Sequence, residues 1–237
     1  LTEKIIRGKD EKVHHNELQY ITEISLKSPA TMIPQAKNEL RRMANMAQEN
    51  LDHAIHGFLN QSNEFVDKVY HREEDINNVS HAITDYLVKS NQLSLPLADQ
   101  KILGSMFYVV NDIERIGDHA ENFADYTKTE IKHNTGLTGD AKEEIKKMYT
   151  AVSKLLKLSL ECFMEQDGVN KPEDKLAEIA ILEASIDKME RRYQKHHIKR
   201  LAKGECEPRA GLLFSDMLSE LERIADHSVN IAYSMSD

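Results

Sequence analysis

Tryptophan is missing from this 237-residue chain, and glycine, proline and aromatic residues are all scarce. Nine Gly and five Pro supply few turns, so the segments between them are long. Those segments show hydrophobic periodicity near 3.6 residues, which is typical of amphipathic helices. The scarcity of helix breakers and this periodicity together indicate an all-α protein.

Cysteine is also rare, and long apolar runs are missing. Cys162 and Cys206 are the only two cysteines and form no metal-binding pair, so they are most simply reduced residues of a cytosolic protein. No run of 18 apolar residues or signal peptide occurs, and we therefore expect that this chain does not span a membrane. Because the first residue is Leu1 rather than Met, we expect a piece of a longer protein.

The chain also has no excess of positive charge. The chain has 31 Lys and Arg against 40 Asp and Glu, which gives a formal net charge of −9. A nucleic-acid-binding protein needs basic patches to neutralise phosphates. An acidic chain with no basic tract therefore argues against nucleic acid as a partner.

One motif is present twice, at residues 111–124 (NDIERIGDHAENFA) and again at residues 219–232 (SELERIADHSVNIA). Glu, Arg, Ile, Asp, His, Asn and Ala recur in the same order at the same spacing. The polar letters match better than the apolar ones between them. A stretch duplicated only for packing should show the opposite bias, because cores accept apolar exchanges of similar volume. We therefore expect the polar letters to carry the chemistry.

On a helix, the polar and apolar letters of this motif fall on different faces. Apolar positions follow alternating steps of four and three residues, and these series are Ile102, Met106, Val109, Ile113, Ile116, Ala120 and Phe123, then Ala210, Phe214, Met217, Leu221, Ile224, Ser228 and Ile231. The polar sets are spaced i, i+4, i+8, and they are Glu114, Asp118 and Asn122, then Glu222, Asp226 and Asn230. The apolar series predict packing faces, so the polar stripes are predicted to point outward, either as solvated faces or as cation sites. Oxygen ligands without thiolates suit hard cations such as Mg²⁺, Mn²⁺, Ca²⁺ or iron.

The duplication extends beyond this motif. Residues 36–43 recur at 141–148, an offset of 105, whereas Glu73 recurs as Glu183, an offset of 110, and Glu114 as Glu222, an offset of 108. Landmarks in the same order at a nearly constant offset predict a duplicated three-helix unit. The predicted helices cover residues 29 or 34–60, 64–92 and 97–132, then three more that begin at a start signature in Asp140 and Glu143, at Pro172 and after residues 204–208. The fold class is therefore all-α, two tandem three-helix bundles, divided into an arm (1–28), a first repeat (29–134) and a second repeat (135–237).

Two further carboxylates, Glu73 and Glu183, fall within apolar arcs of the second and fifth helices. A carboxylate in an apolar arc is costly unless it is paired, protonated or metal-bound. One hypothesis pairs these residues with Arg115 or Arg223 of a neighbouring helix. The other joins them to the carboxylates of the repeated motif in one site.

These landmarks resemble the PhoU family of phosphate-uptake regulators. The Glu-Arg-Ile-Gly/Ala-Asp-His-x-x-Asn repeat is the most specific feature of the resemblance, which covers about residues 29–237. The lead-in at residues 18–36 (LQYITEISLKSPATMIPQA) resembles the join between membrane part and PhoU part in sodium/phosphate cotransporter-like proteins. The resemblance implies regulation of phosphate uptake rather than catalysis.

The resemblance also implies multinuclear metal clusters, with iron first and zinc, manganese or magnesium as alternatives. Carried over by position, the metal residues are Glu114 with Asp118, Glu222 with Asp226, Glu183 with Asp187, and Glu73 with Asn77. At Asn77 an amide stands where the family pattern has a carboxylate. The neighbouring Arg115, His119, Arg223 and His227 either orient ligands or form ordinary ion pairs, and we do not assign them as ligands.

The predicted function is a metal-binding regulatory domain on the cytoplasmic side of the plasma membrane, in the C-terminal part of a sodium/phosphate cotransporter-like protein. A free-standing PhoU-like signalling regulator is the alternative. The partners of the protein would be a phosphate transporter membrane domain or transport and signalling proteins. The amphipathic arm could support a homodimer. A metal-dependent hydrolase and a purely structural helical protein, in which the polar motif sets helix register, are the competing hypotheses.

Overall fold

The computed structural model describes residues 18–22, 29–133, 136–167 and 172–235. Six helices make up most of these ranges: α1 (Pro29–Asn60), α2 (Asn63–Asn91), α3 (Leu97–His133), α4 (Gly139–Glu165), α5 (Glu173–Ala202) and α6 (Pro208–Tyr233). Within the described residues there is no strand, and the all-α prediction is confirmed. No helix among them is long and apolar enough to cross a membrane.

The helices pack as two three-helix bundles in tandem. The first bundle contains α1, α2 and α3, the second contains α4, α5 and α6, and the two meet through α3 against α6 and α1 against α4. The boundary predicted at residues 134 and 135 lies outside the described residues. So do residues 1–17 and 23–28 of the arm, including its histidines.

The core follows the predicted apolar series. Every residue of the two series on α3 and α6 is buried, including Phe123 and Phe214 with no exposed surface. Helix α3 therefore lies at the centre of the first bundle and α6 at the centre of the second. Their polar stripes lie at the sides of these helices, next to α2 and α5.

Helix ends agree with the sequence at most positions. Gln61, with φ of 53°, ends α1 at the predicted break. The start of α4 differs from the expectation: Thr138 is the N-cap, and its Oγ1 accepts a hydrogen bond from the Ala141 N–H at 3.3 Å. A threonine hydroxyl suits that role. Asp140 then lies in the first turn, where a carboxylate interacts favourably with the helix dipole.

The described part of the arm packs on the first bundle. Oε2 of the fully buried Glu39 accepts hydrogen bonds from the backbone N–H groups of Gln19 (2.9 Å) and Tyr20 (2.8 Å). Ile21 is buried beside them. Residues 18–22 therefore pack on the first bundle as well as preceding it in the chain.

Candidate functional site

One group of carboxylates lies where α2 faces α3. It contains Glu73 of α2 and Glu114, Asp118 and Glu121 of α3, and we call it the first carboxylate cluster. The negative charges of Asp118, Glu121 and Glu114 all help to raise the pKa of Glu73. The fold therefore brings Glu73 of α2 close to the predicted carboxylates of α3.

Glu73 is the innermost member of this cluster. It is 3% exposed, and its Oε2 accepts a 3.4 Å hydrogen bond from Nδ2 of Asn50 on α1. Its carboxylate lies against the backbone of Gly117, where a Cβ atom would come within 2.5 Å of Oε2. Burial first, and then the charges of Asp118 and Glu121, raise the pKa of Glu73 to about 8. The sequence expectation that an apolar-arc carboxylate sits in an unfavourable environment is thus met at Glu73.

A second group lies at the equivalent position between α5 and α6. It contains Glu183, Asp187, Glu190, Glu222 and Asp226, and we call it the second carboxylate cluster. Partial burial, followed by the charges of neighbours in the cluster, raises the pKa of each of Glu183, Glu190, Glu222 and Asp226. Asp187 contributes to all four of these shifts, so it lies among the others.

The two clusters differ in depth. Glu183, the counterpart of Glu73, is only half-buried, although the sequence placed both in apolar arcs. Ala225 stands where the first cluster has Gly117, so the position that lies against Glu73 in the first bundle carries a methyl group in the second. The second cluster is therefore an outer surface group, whereas the first extends towards the core.

Neither cluster is a finished metal centre. Across the described ranges, no three His, Cys, Asp or Glu side chains converge closely enough to hold one ion. Asn77 is half-buried one turn after Glu73, and its side chain makes no hydrogen bond within the described residues. The donors nevertheless have suitable chemistry, because they are carboxylates that repel one another and Glu73 Oε1 is buried without a partner.

The histidines and asparagines of the repeated motif serve a different purpose, at the contact between α3 and α6. Glu220 Oε2 pairs with His119 Nδ1 at 2.5 Å and accepts from Asn122 Nδ2 at 3.1 Å. In the mirrored arrangement, Asp112 Oδ1 pairs with His227 Nδ1 at 2.8 Å and accepts from Asn230 Nδ2 at 3.2 Å. Asn122 and Asn230 continue the i, i+4, i+8 spacing of the carboxylate stripes, but their side chains donate hydrogen bonds across the contact between the bundles. Helix α6 lies against α3 and takes these amides into the contact between the bundles.

The arginines likewise do not pair with the inner carboxylates. Arg115 pairs with Asp118 at 3.3 Å and Arg223 with Glu220 at 3.7 Å, both as exposed side chains one turn along their own helix. The hypothesis that Arg115 or Arg223 neutralises Glu73 or Glu183 is therefore wrong. Among the described residues, Glu73 has only the Asn50 amide as a hydrogen-bond partner.

Comparison with known proteins decides the family. The PhoU domain model matches residues 40–127 and 145–235, one match for each three-helix bundle. The chain belongs to the PhoU family. The resemblance inferred from the repeated Glu-Arg-Ile motif is thus confirmed, and the two matched segments contain both carboxylate clusters.

Individual PhoU relatives are distant. The chain is 22% identical over 196 residues to the phosphate-specific transport system accessory protein PhoU homolog 1 of Thermotoga maritima, covering 82% of each chain. It is 24% identical over 232 residues to the PhoU homolog of Pseudomonas aeruginosa, covering 95% of this chain and 87% of that one. The crystal structure of PhoU from Pseudomonas aeruginosa superposes with a TM-score of 0.77 at 21% identity, covering 87% of this chain and 96% of that one. This likeness shows a shared PhoU fold.

Sequence reasoning missed three residues of these PhoU-type clusters. Glu121 and Glu190 have no acidic counterparts, since Val229 and Ser80 stand at the matching positions. A comparison of the two repeats therefore passes over them. Asn50, the partner of Glu73, lies within the apolar face of α1, and a polar residue in that face was the one available signal.

Proposed function

We propose that this protein is a cation-binding regulator of phosphate transport that acts by binding partners rather than by catalysis. The observation that carries the proposal is the presence of a carboxylate cluster at the same position in both bundles. Within each cluster, burial first and then neighbouring negative charges raise carboxyl pKa values. Like charges held together in this way lower stability unless a cation binds, and a fold that assembles them twice favours a binding role.

The proposed cation binds oxygen atoms of both clusters. Glu73, Glu114 and Asp118, with Asn77 one turn away, would hold it in the first bundle. Glu183, Asp187, Glu222 and Asp226 would hold it in the second. The oxygen donors suit iron, as the first choice, or manganese, magnesium or zinc. A bound multivalent cation would reverse the local charge, so that phosphate or a partner's carboxylate could bind a surface that otherwise repels anions.

The relatives support the link with phosphate transport. The proteins of Thermotoga maritima, Pseudomonas aeruginosa and Synechocystis are named accessory proteins of a phosphate-specific transport system. This chain spans 82% to 88% of their lengths. Similarity to most of the length of accessory proteins favours the free-standing regulator over the cotransporter part that the lead-in sequence suggested.

Transport or signalling proteins for phosphate remain the proposed partners, and the cytoplasm at the inner face of the membrane the proposed location. A homodimer through the arm also remains a prediction. Residues 18–22 pack on the first bundle of their own chain. A dimer contact through this part of the arm would therefore have to form with residues 18–22 in that position.

A transport assay tests the proposal. In a bacterial strain whose own PhoU gene has been deleted, we would measure phosphate uptake with this protein or with a variant in which Glu114, Asp118, Glu222 and Asp226 are changed to Ala. The matched control loses the same charge at four exposed acids outside both clusters, namely Asp67, Asp85, Glu143 and Glu173. We expect the wild type and the control to restore regulated uptake and the cluster variant to fail. Equal regulation by all three would contradict the proposal.

A further inference from the structure

The two mirror-related halves of the contact between α3 and α6 differ by one hydrogen bond. In each half, one carboxylate oxygen binds a histidine and an asparagine of the other helix. The second oxygen of Glu220, Oε1, accepts a hydrogen bond from the hydroxyl of Tyr126 at 3.3 Å. The corresponding Oδ2 of Asp112 accepts none from any residue that the structure describes. One half is therefore complete, whereas the other lacks a donor.

The missing donor corresponds to a tyrosine that the second repeat does not have. At the 108-residue offset of the repeated motif, Ser234 stands where the first repeat has Tyr126. On the facing helix, Gly104 stands where the second repeat has Leu212. A Cβ atom added to Gly104 would meet no atom within 4 Å. Small residues on both helices therefore leave open space beside Asp112.

This open space is a cleft of about 680 Å³ between α3 and the end of α6. Tyr108 and Tyr233 line it together with Asp112. The hydroxyl of Tyr233 donates to the carbonyl oxygen of Leu176 on α5 at 3.3 Å, which fixes one wall of the cleft. The side chain of Asp112 is 15% exposed, whereas that of Glu220, next to its tyrosine, is 8% exposed. Aromatic walls with one polar anchor suit a ring that carries a hydrogen-bond donor.

We propose that this cleft is a docking site for a tyrosine side chain of a partner protein. The partner's ring would enter beside Tyr108, and its hydroxyl would donate to Oδ2 of Asp112, as Tyr126 donates to Glu220 in the other half. The charge is complementary, because an ionised carboxylate oxygen without a partner favours a donor. Tyrosine is also a frequent anchor of protein interfaces. The cleft contains no residue of either carboxylate cluster, so this inference goes beyond the proposed cation-binding function and does not depend on it.

A nuclear magnetic resonance titration of the full chain tests the docking site. The probe is N-acetyl-tyrosinamide at millimolar concentration, and N-acetyl-phenylalaninamide is the matched probe without a hydroxyl. We expect shifts of the amide signals around the cleft, with binding of the second probe weaker by about fivefold. Equal binding of both probes, or no shifts at the cleft, would overturn the inference. Binding of p-cresol but not of N-acetyl-tyrosinamide would assign the cleft to a small molecule and would also overturn it.

Variants locate the binding within the contact. Tyr126→Ser should open an equivalent cleft beside Glu220 and create a second site for N-acetyl-tyrosinamide. Ser234→Tyr should fill the existing cleft and abolish binding there. Gly104→Phe fills the cleft from the opposite wall, so the test holds even where the new tyrosine turns towards solvent. Unchanged binding in both filled variants would contradict the assignment.

Phosphate uptake shows whether a partner uses the cleft. In the strain whose own PhoU gene has been deleted, we expect regulated uptake to be lost with Ser234→Tyr and Gly104→Phe and retained with Ser234→Ala, the matched control. Normal regulation by filled variants that no longer bind the probe would overturn the inference and leave the cation-binding proposal intact. Loss of a homodimer in the filled variants, measured by sedimentation, would assign the cleft to a second copy of the chain and would overturn a separate partner.

Discussion

Glu73 contributes to how the stability of the protein changes with pH. Burial first, and then Asp118 and Glu121, raise its pKa from 4.5 to about 8. Between these values the folded state binds a proton that the unfolded state has released, so the free energy of unfolding falls as pH rises. With about 1.4 kcal/mol for each pKa unit, we expect a loss on the order of a few kcal/mol between pH 4.5 and 8.

Chemical denaturation in the presence of a chelator measures this dependence. Glu73→Gln, which cannot ionise, should flatten the fall in unfolding free energy between pH 4.5 and 8. Glu183→Gln is the matched control and should change the slope less, because Glu183 is only half-buried. Parallel pH curves for the wild type and Glu73→Gln would contradict the assignment of a buried proton to Glu73.

Gly211 on α6 is required by a close contact with a rigid ring. A Cβ atom there would come within 2.6 Å of Cε1 and Nε2 of His197, which is 5% exposed. We expect Gly211→Ala to lower the free energy of unfolding by about 1–3 kcal/mol, since overpacking forces the ring to move. Gly104→Ala, which meets no atom within 4 Å, should instead stabilise α3 by about 0.5–1 kcal/mol. Thermal melts that rise for both variants would contradict the contact.

At the scale of the helix, the polar motif fixes how α3 and α6 meet. Burial tends to raise the pKa of Glu220, but hydrogen bonds from His119 and Asn122 more than offset it and hold that pKa below its usual range. We expect Glu220→Gln to cost about 1–3 kcal/mol in unfolding free energy. Asp112→Asn, at the more exposed mirror position, should cost less.

A double-mutant cycle measures the pair directly. The Glu220 and His119 changes should be coupled by about 0.5–3 kcal/mol, as residues in one hydrogen-bonded pair are. A coupling near zero would mean that the two helices keep their register by apolar packing alone. Metal content should be unchanged in these variants, because neither residue belongs to a carboxylate cluster.

The sequence predicts the helices themselves well, and the physical reason is periodicity. Alternating steps of four and three residues identify the apolar face of α3, which includes Phe123, and that of α6, which includes Met217. Both faces are buried in the structure. For Glu73 and Glu183 the sequence leaves two hypotheses open, pairing with an arginine or joining the carboxylates of the repeated motif. The structure agrees with the second, because carboxylates of α3 and α6 are neighbours of Glu73 and Glu183.

Contacts between helices that are far apart in the chain could not be predicted in the same way. The pairing of Glu220 with His119 depends on how one bundle is placed against the other, which periodicity along one helix does not contain. Glu121, Glu190 and Asn50 are not repeated, so a search for duplicated polar letters cannot find them. Such residues differ between the repeats, and Asn50, which hydrogen-bonds to Glu73 in the first repeat, is replaced by Leu155 in the second.

For the whole molecule, the contacts between the two bundles include two with different chemistry. One is the hydrogen-bonded contact of α3 with α6. The other is Lys37 of α1, a buried side chain whose Nζ donates to the carbonyl oxygens of Phe163 (3.2 Å) and Met164 (3.3 Å) and to that of Gln166 at the end of α4. A cation near the last carbonyls of a helix is favourable. Both joins leave the two carboxylate clusters open for binding.

Elemental analysis of the purified protein tests most directly whether these clusters bind cations. We would compare the metal content of the wild type with that of the variant in which Glu114, Asp118, Glu222 and Asp226 are changed to Ala, with far-ultraviolet circular dichroism to confirm that both are folded. The account predicts bound iron or another oxygen-binding metal in the wild type and little or none in the variant. Equal metal content in two folded proteins would contradict it.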